Sequence, residues 1–150
     1  MATPYAPIIA PADLASVLYP EIQDVITRGD AAIAAEAIDI AIQEVKMYLS
    51  KYDLVQIFGD ADLDYAAVFN DAFLTRLVKN VATWHLIQLA NVNISYESIK
   101  LLYEQAIASL KNIQSGKADP KWPYLDTTGE TAPQGNAIVW KSNEKREQHF

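Results

Sequence analysis

Three aspartates stand at alternate positions in "GDADLDY", Asp60, Asp62 and Asp64, and Asp71 follows Asp60 by eleven residues. Oxygen ligands at alternate positions, closed by a carboxylate eleven residues on, are the pattern of a calcium loop between two helices. The match is incomplete. Tyr65 stands where the sharp turn needs glycine, and Asp71 is one methylene shorter than the glutamate that binds such an ion with both oxygens. The competing expectation is a solvated acidic loop whose last aspartate caps a helix.

His85 lies beside Trp84 in "VATWHLIQLA", the most apolar run of the chain. With no serine nucleophile or carboxylate close by in sequence, it reads as a satisfied core residue in preference to a general base. Arg76 and Lys79, one turn apart, read as a solvated helix face, with Asp71 or the surroundings of Asn80 as local partners for their charge. The chain has no cysteine and only His85 and His149 as histidines, which removes disulfides, thiolate catalysis and cysteine-ligated zinc. Glycine-rich phosphate loops, nucleophile elbows and paired cleft carboxylates are missing from the sequence. No catalytic, cofactor-binding or metal-ligating residue is assigned, and the expectation is a protein that is not an enzyme.

The elements that must position these residues are helical. A chain of 150 residues, 51% hydrophobic and 21% charged, is the size of one domain with a real core. It holds no run of roughly twenty apolar residues and no basic, apolar leader, so a soluble intracellular protein without membrane contact is expected. Residues 1–116 carry 7 Lys+Arg against 14 Asp+Glu, whereas residues 117–150 carry 5 against 5. An acidic body disfavours tight nucleic-acid binding, which needs clustered cations.

Pro4 and Pro7 punctuate an extended start, Pro11 opens a short helix, and Pro20 opens another that Gly29 stops. Asp30 caps a long helix running to about Lys51, with Ile38, Ile42, Val45, Leu49 and Tyr52 on one face and alanines on its flanks for close approach of neighbours. A central helix from about Tyr65 to Asn91 carries two apolar stripes, one of Phe69, Phe73, Leu77 and Trp84, the other of Leu74, Val78, Val81 and His85. Ser95 caps a last helix with Ile99, Tyr103, Ala106, Leu110 and Ile113 in its core stripe, ended by Gly116 and Pro120. The fold class is therefore all-α: a small bundle of about three long helices plus short N-terminal helices. Residues 1–10 form an extended N-terminal arm, residues 11–120 the helical domain and residues 121–150 an extended C-terminal arm.

Trp122 and Tyr124 are expected to fold back on the helix ends. Beyond them "AIVWK", Ala137 to Lys141, favours an extended strand with no partner strand in this chain. A second chain is the natural cover for such a segment. The residues expected to meet neighbours are Tyr5 and Ile8 in the first arm, Trp122, and Ile138, Val139 and Trp140.

The segments "APADLASVL", "VKMYLSKYDL", "LTRLVKNVATWHLIQLAN" and "LYEQAIASLKNIQSGKAD" resemble, in order and spacing, the Mu-type tailed-phage head-tail adaptor proteins, over roughly residues 10 to 120. The chain departs from that family in "DLVQIFGDADLD", which lacks a proline, and after Pro123. The resemblance implies a helical subunit of a homo-oligomeric ring beneath the portal of a phage capsid. Such a ring joins head to tail, contacts the portal protein and a tail or stopper protein, and lets DNA pass without tight binding. It also implies a place in the virion, and in the host cytoplasm during assembly. Exchanged arms would supply the heterologous contacts a ring needs. The alternative is a helical regulatory or adaptor protein that binds a cellular partner through its C-terminal tail.

Overall fold

The computed structural model describes residues 3–90 and 97–125. A 3-10 helix, Pro11–Ser16, is followed by α1 (Pro20–Thr27), α2 (Ala31–Tyr48), α3 (Leu54–Phe58), α4 (Ala72–Ala90) and α5 (Glu97–Gln114). The all-α class holds. Among the described residues there is no strand, only isolated bridges of Tyr52 with Tyr124 and of Asp60 with Tyr65.

Local chemistry sets the boundaries. The Asp30 side chain accepts from the Ala32 N–H and starts α2. Arg28 and Gly29, both left-handed, end α1. The whole face expected of α2 is buried, with Ala34, Ala37 and Ala41 alongside Ile38, Ile42 and Val45, and Leu49 and Tyr52 continue it beyond the helix end. α2 packs most extensively on α4, whose Leu74, Leu77, Val78, Val81, Ala82, Leu86 and Ile87 are buried. α4 also touches α1, α5 and the 3-10 helix, the central position that two apolar stripes require. Ala106, Leu110 and Ile113 of α5 complete the core. Each large apolar side chain fully buried there contributes roughly 1.5–3 kcal/mol.

Three expectations need correction. The central helix starts at Ala72, not near Tyr65, because Asp71 caps it by accepting from the Leu74 N–H at 2.8 Å. Phe69 reaches the core from the preceding loop, held where Val68 and Phe69 N–H both donate to the Gln56 carbonyl. Phe73, freed from that stripe, is exposed. The stretch between Tyr52 and Tyr65, where no helix is expected, contains α3, capped by Asp53 and burying Ile57 and Phe58. The body also extends past both expected limits of 11 and 120: Ile9 is 1% exposed, and Trp122 is 2% exposed against Tyr52. The Ser95 cap and the segment Ala137–Lys141 lie outside the described residues.

Gly59 ends α3 at a φ of 78°, and a Cβ there would stand 2.5 Å from the Tyr65 carbonyl oxygen, which is itself fixed by the Asp60 N–H. Gly116 has a similar φ of 79° but open space around it. Gly59→Ala is therefore expected to cost more than about 2 kcal/mol in urea unfolding, against about 1 kcal/mol for Gly116→Ala. Equal losses would show that the contact with Tyr65 is unimportant.

Candidate functional site

Glu44 on α2, His85 on α4 and Tyr103 on α5 meet where the three long helices converge. Glu44 Oε2 is hydrogen-bonded to His85 Nε2, and the Tyr103 hydroxyl donates to Glu44 Oε1 at 2.7 Å. Trp84 stacks on the Tyr103 ring with centroids 5.4 Å apart, and the His85 ring meets the same tyrosine edge-on. His85 and Glu44 are each mostly buried, so an unpaired carboxylate at this depth would be costly. Burial first, then the hydrogen bond to Glu44, raise the Tyr103 hydroxyl well above its ordinary pKa.

His85 thus has a carboxylate after all, brought from forty-one residues away by helix packing. A bonded carboxylate and imidazole can form a proton-transferring pair. Here both carboxylate oxygens are engaged, one by His85 and one by Tyr103, and the clefts beside α4 and under the N-terminal arm are lined by other residues. The arrangement works as a polar tie among α2, α4 and α5. Sequence reasoning missed Glu44, although Ala37, Ala41, Glu44 and Tyr48 share one helical face and a lone carboxylate in such a row signals a partner across the seam.

The aspartates do not converge. Asp60 Oδ1 accepts from the Asp62 and Leu63 N–H groups, closing the loop on itself. Asp64, in a left-handed conformation, turns its Oδ1 to the Tyr5 N–H at 2.9 Å, and Asp71 caps α4. Among the described residues no group of three His, Asp or Glu side chains is placed to hold a metal ion. Asp71 does not pair with Arg76; Lys79 Nζ instead donates to Ser16 Oγ at 3.1 Å.

The residues expected to face neighbours have different fates. Tyr5 and Ile8 are half-buried on their own body, where the arm runs beside α2 and the Ala66 N–H donates to the Thr3 carbonyl. Burial, then the charge of Asp39, raise the Tyr5 hydroxyl pKa. Trp122 is taken up by its own chain: it is 2% exposed and meets Tyr52 edge-on, while Tyr124 stacks on the Tyr52 ring. Ile138, Val139 and Trp140 lie outside the described residues. The exposed apolar side chains at α1 were not among the residues expected to meet neighbours. At α1, the N-cap Tyr19 at 74% and, on the helix, Ile22 at 37% and Val25 at 71% recur every three residues.

No family model, no curated protein and no solved structure matches the chain.

The Tyr103 phenol is held neutral by the fold. The stability it contributes is present below about pH 10, the ordinary tyrosine value, and is lost as pH rises above that. Tyr103→Phe is expected to lose about 1.5–3 kcal/mol at pH 7 and to show a shallower alkaline decline in urea midpoint than the parent chain. Parallel alkaline declines would remove Tyr103 from the tie.

Proposed function

We propose that the chain is a structural subunit of a tailed-phage or prophage head-tail connector, assembling into a ring that joins capsid to tail and passes DNA. The observation that carries this reading is the row of Tyr19, at the N-cap of α1, with Ile22 and Val25 on the helix, large apolar side chains that reach water. Such a row is characteristic of a surface that another protein covers. The resemblance of four helical segments to the Mu-type adaptors supplies the kind of assembly, with the portal above and a tail or stopper protein below.

Two further features support the reading. The body bears a net charge of −7 over residues 1–116, which keeps a conduit from gripping phosphates. The apolar segment Ile138–Trp140 suits pairing with an edge or groove on a second copy. The tail would then act between subunits, and α1 would provide the body-to-body contact.

The test is the mass of the full chain, alone and mixed with a portal ring, read by mass photometry and negative-stain electron microscopy. Rings, or stoichiometric binding to the portal, are expected. Deletion of residues 130–150 is expected to leave a helical, folded monomer that no longer forms rings, and Val25→Asp to weaken assembly without unfolding the chain. Normal rings from the truncated chain would overturn the role of the tail. A chain that stays monomeric at high concentration and ignores the portal would overturn the connector reading.

A further inference from the structure

Arg76 and Lys79 line, from α4, a cleft of about 610 Å³ bounded by Ser16 on the 3-10 helix and Leu102 on α5. A second cleft of about 210 Å³ continues it along the α4–α5 groove and shares Arg76 and Asn80. Among the described residues no carboxylate lines either cleft, although the chain as a whole is strongly acidic. The Arg76 guanidinium has no hydrogen-bond or ion-pair partner among the described residues, and one Lys79 donor goes to Ser16. Asn80 decides the matter. It is only 7% exposed, it lines both clefts, and its side-chain amide has no hydrogen-bond partner among the described residues. Among the described residues the fully enclosed polar side-chain atoms without a partner are the Tyr52 hydroxyl and the Trp122 indole N–H, so the unpartnered Asn80 amide still opens onto the cleft.

We propose that this cleft binds a small organic oxyanion, its phosphate or carboxylate group held by Arg76, Lys79 and the Asn80 amide. The planar guanidinium donates two parallel hydrogen bonds to an oxyanion, the ammonium adds a point charge one turn along the same helix face, and the amide N–H₂ supplies a donor at the cleft floor. Of the remaining described walls, Val17, Ala72 and Leu102 are apolar and Asn70 and Thr75 polar, and they leave room for an organic body far larger than a bare ion. The volume falls in the range of sites that take metabolite-sized ligands. This site is independent of the ring assembly: it faces the α4–α5 groove and uses none of the residues assigned to subunit contacts.

Isothermal titration calorimetry on the full chain tests it, with inorganic phosphate, adenosine 5′-monophosphate and citrate as probes at low and at high salt. At least one organic anion is expected to bind saturably and about tenfold more tightly than inorganic phosphate, since only the organic probes fill the apolar wall. A preference for the monophosphate assigns a phosphate head group, and a preference for citrate a carboxylate. Arg76→Gln is expected to weaken binding about tenfold or more, Lys79→Gln to weaken it to a smaller extent, and Arg28→Gln, at an exposed site outside the clefts, to leave it unchanged. Circular dichroism of each variant confirms that the fold persists. Absence of saturable binding up to millimolar probe, equal affinity for inorganic phosphate and both organic anions, or equal losses from Arg76→Gln and Arg28→Gln would each overturn the proposal.

Discussion

The close approach of α2 to α4 is the constraint on which the rest of the molecule depends. Ala34, Ala37 and Ala41 are buried along α2 and Ala82 along α4, so the two backbones pack near one another with Ile38, Ile42, Val45, Val78 and Val81 filling the seam. Interiors this dense transmit a change of a single methylene, because no void absorbs it. Once the seam is set, Glu44 comes within reach of His85, and α5 docks where Tyr103 can close on the second carboxylate oxygen. The polar tie is a consequence of the apolar packing and then fixes its register, since an unpartnered carboxylate at that depth is disfavoured.

The peripheral pieces attach to this frame through specific bonds. Lys51, just beyond α2, donates from Nζ to the Ile113 carbonyl at 2.6 Å, placing a positive charge at the C-terminal end of α5 where the helix dipole favours it. Tyr52 follows and receives Trp122 and Tyr124, so the return of the chain after Gly116 is anchored at the same corner. At another edge the N-terminal arm is fastened to the 60–67 loop by the Asp64 carboxylate and the Ala66 N–H. The acidic loop is therefore structural, folding on itself through Asp60 and handing one carboxylate to the arm.

Much of this was legible from residue order. The α2 face from Ile38 to Tyr52, the caps at Asp30 and Asp71, the left-handed stops at Gly29 and Gly116 and the return of Trp122 all follow from local rules of period, capping and glycine geometry. The failures have one cause in common. Tyr65 to Asn70 carry apolar residues at helical spacing, yet the loop is extended because its N–H groups find the Gln56 and Thr3 carbonyls and Gly59 permits the turn that brings Tyr65 back to Asp60. Those partners are distant in sequence, and no periodicity announces them. The Glu44–His85 pair and the meeting of Lys79 with Ser16 were hidden for the same reason: tertiary packing creates them.

One seam and one polar tie thus hold the three long helices in a fixed arrangement. The most direct measurement of the central claim is the urea-unfolding free energy of Ala41→Leu beside that of Ala32→Leu on the exposed side of the same helix. Overpacking at Ala41 is expected to lower stability by about 2 kcal/mol or more, with Ala32→Leu within about 0.5 kcal/mol of the parent chain. An Ala41→Leu chain as stable as the parent would mean that the two helices do not need their close approach, and the account of the fold would fail at its root.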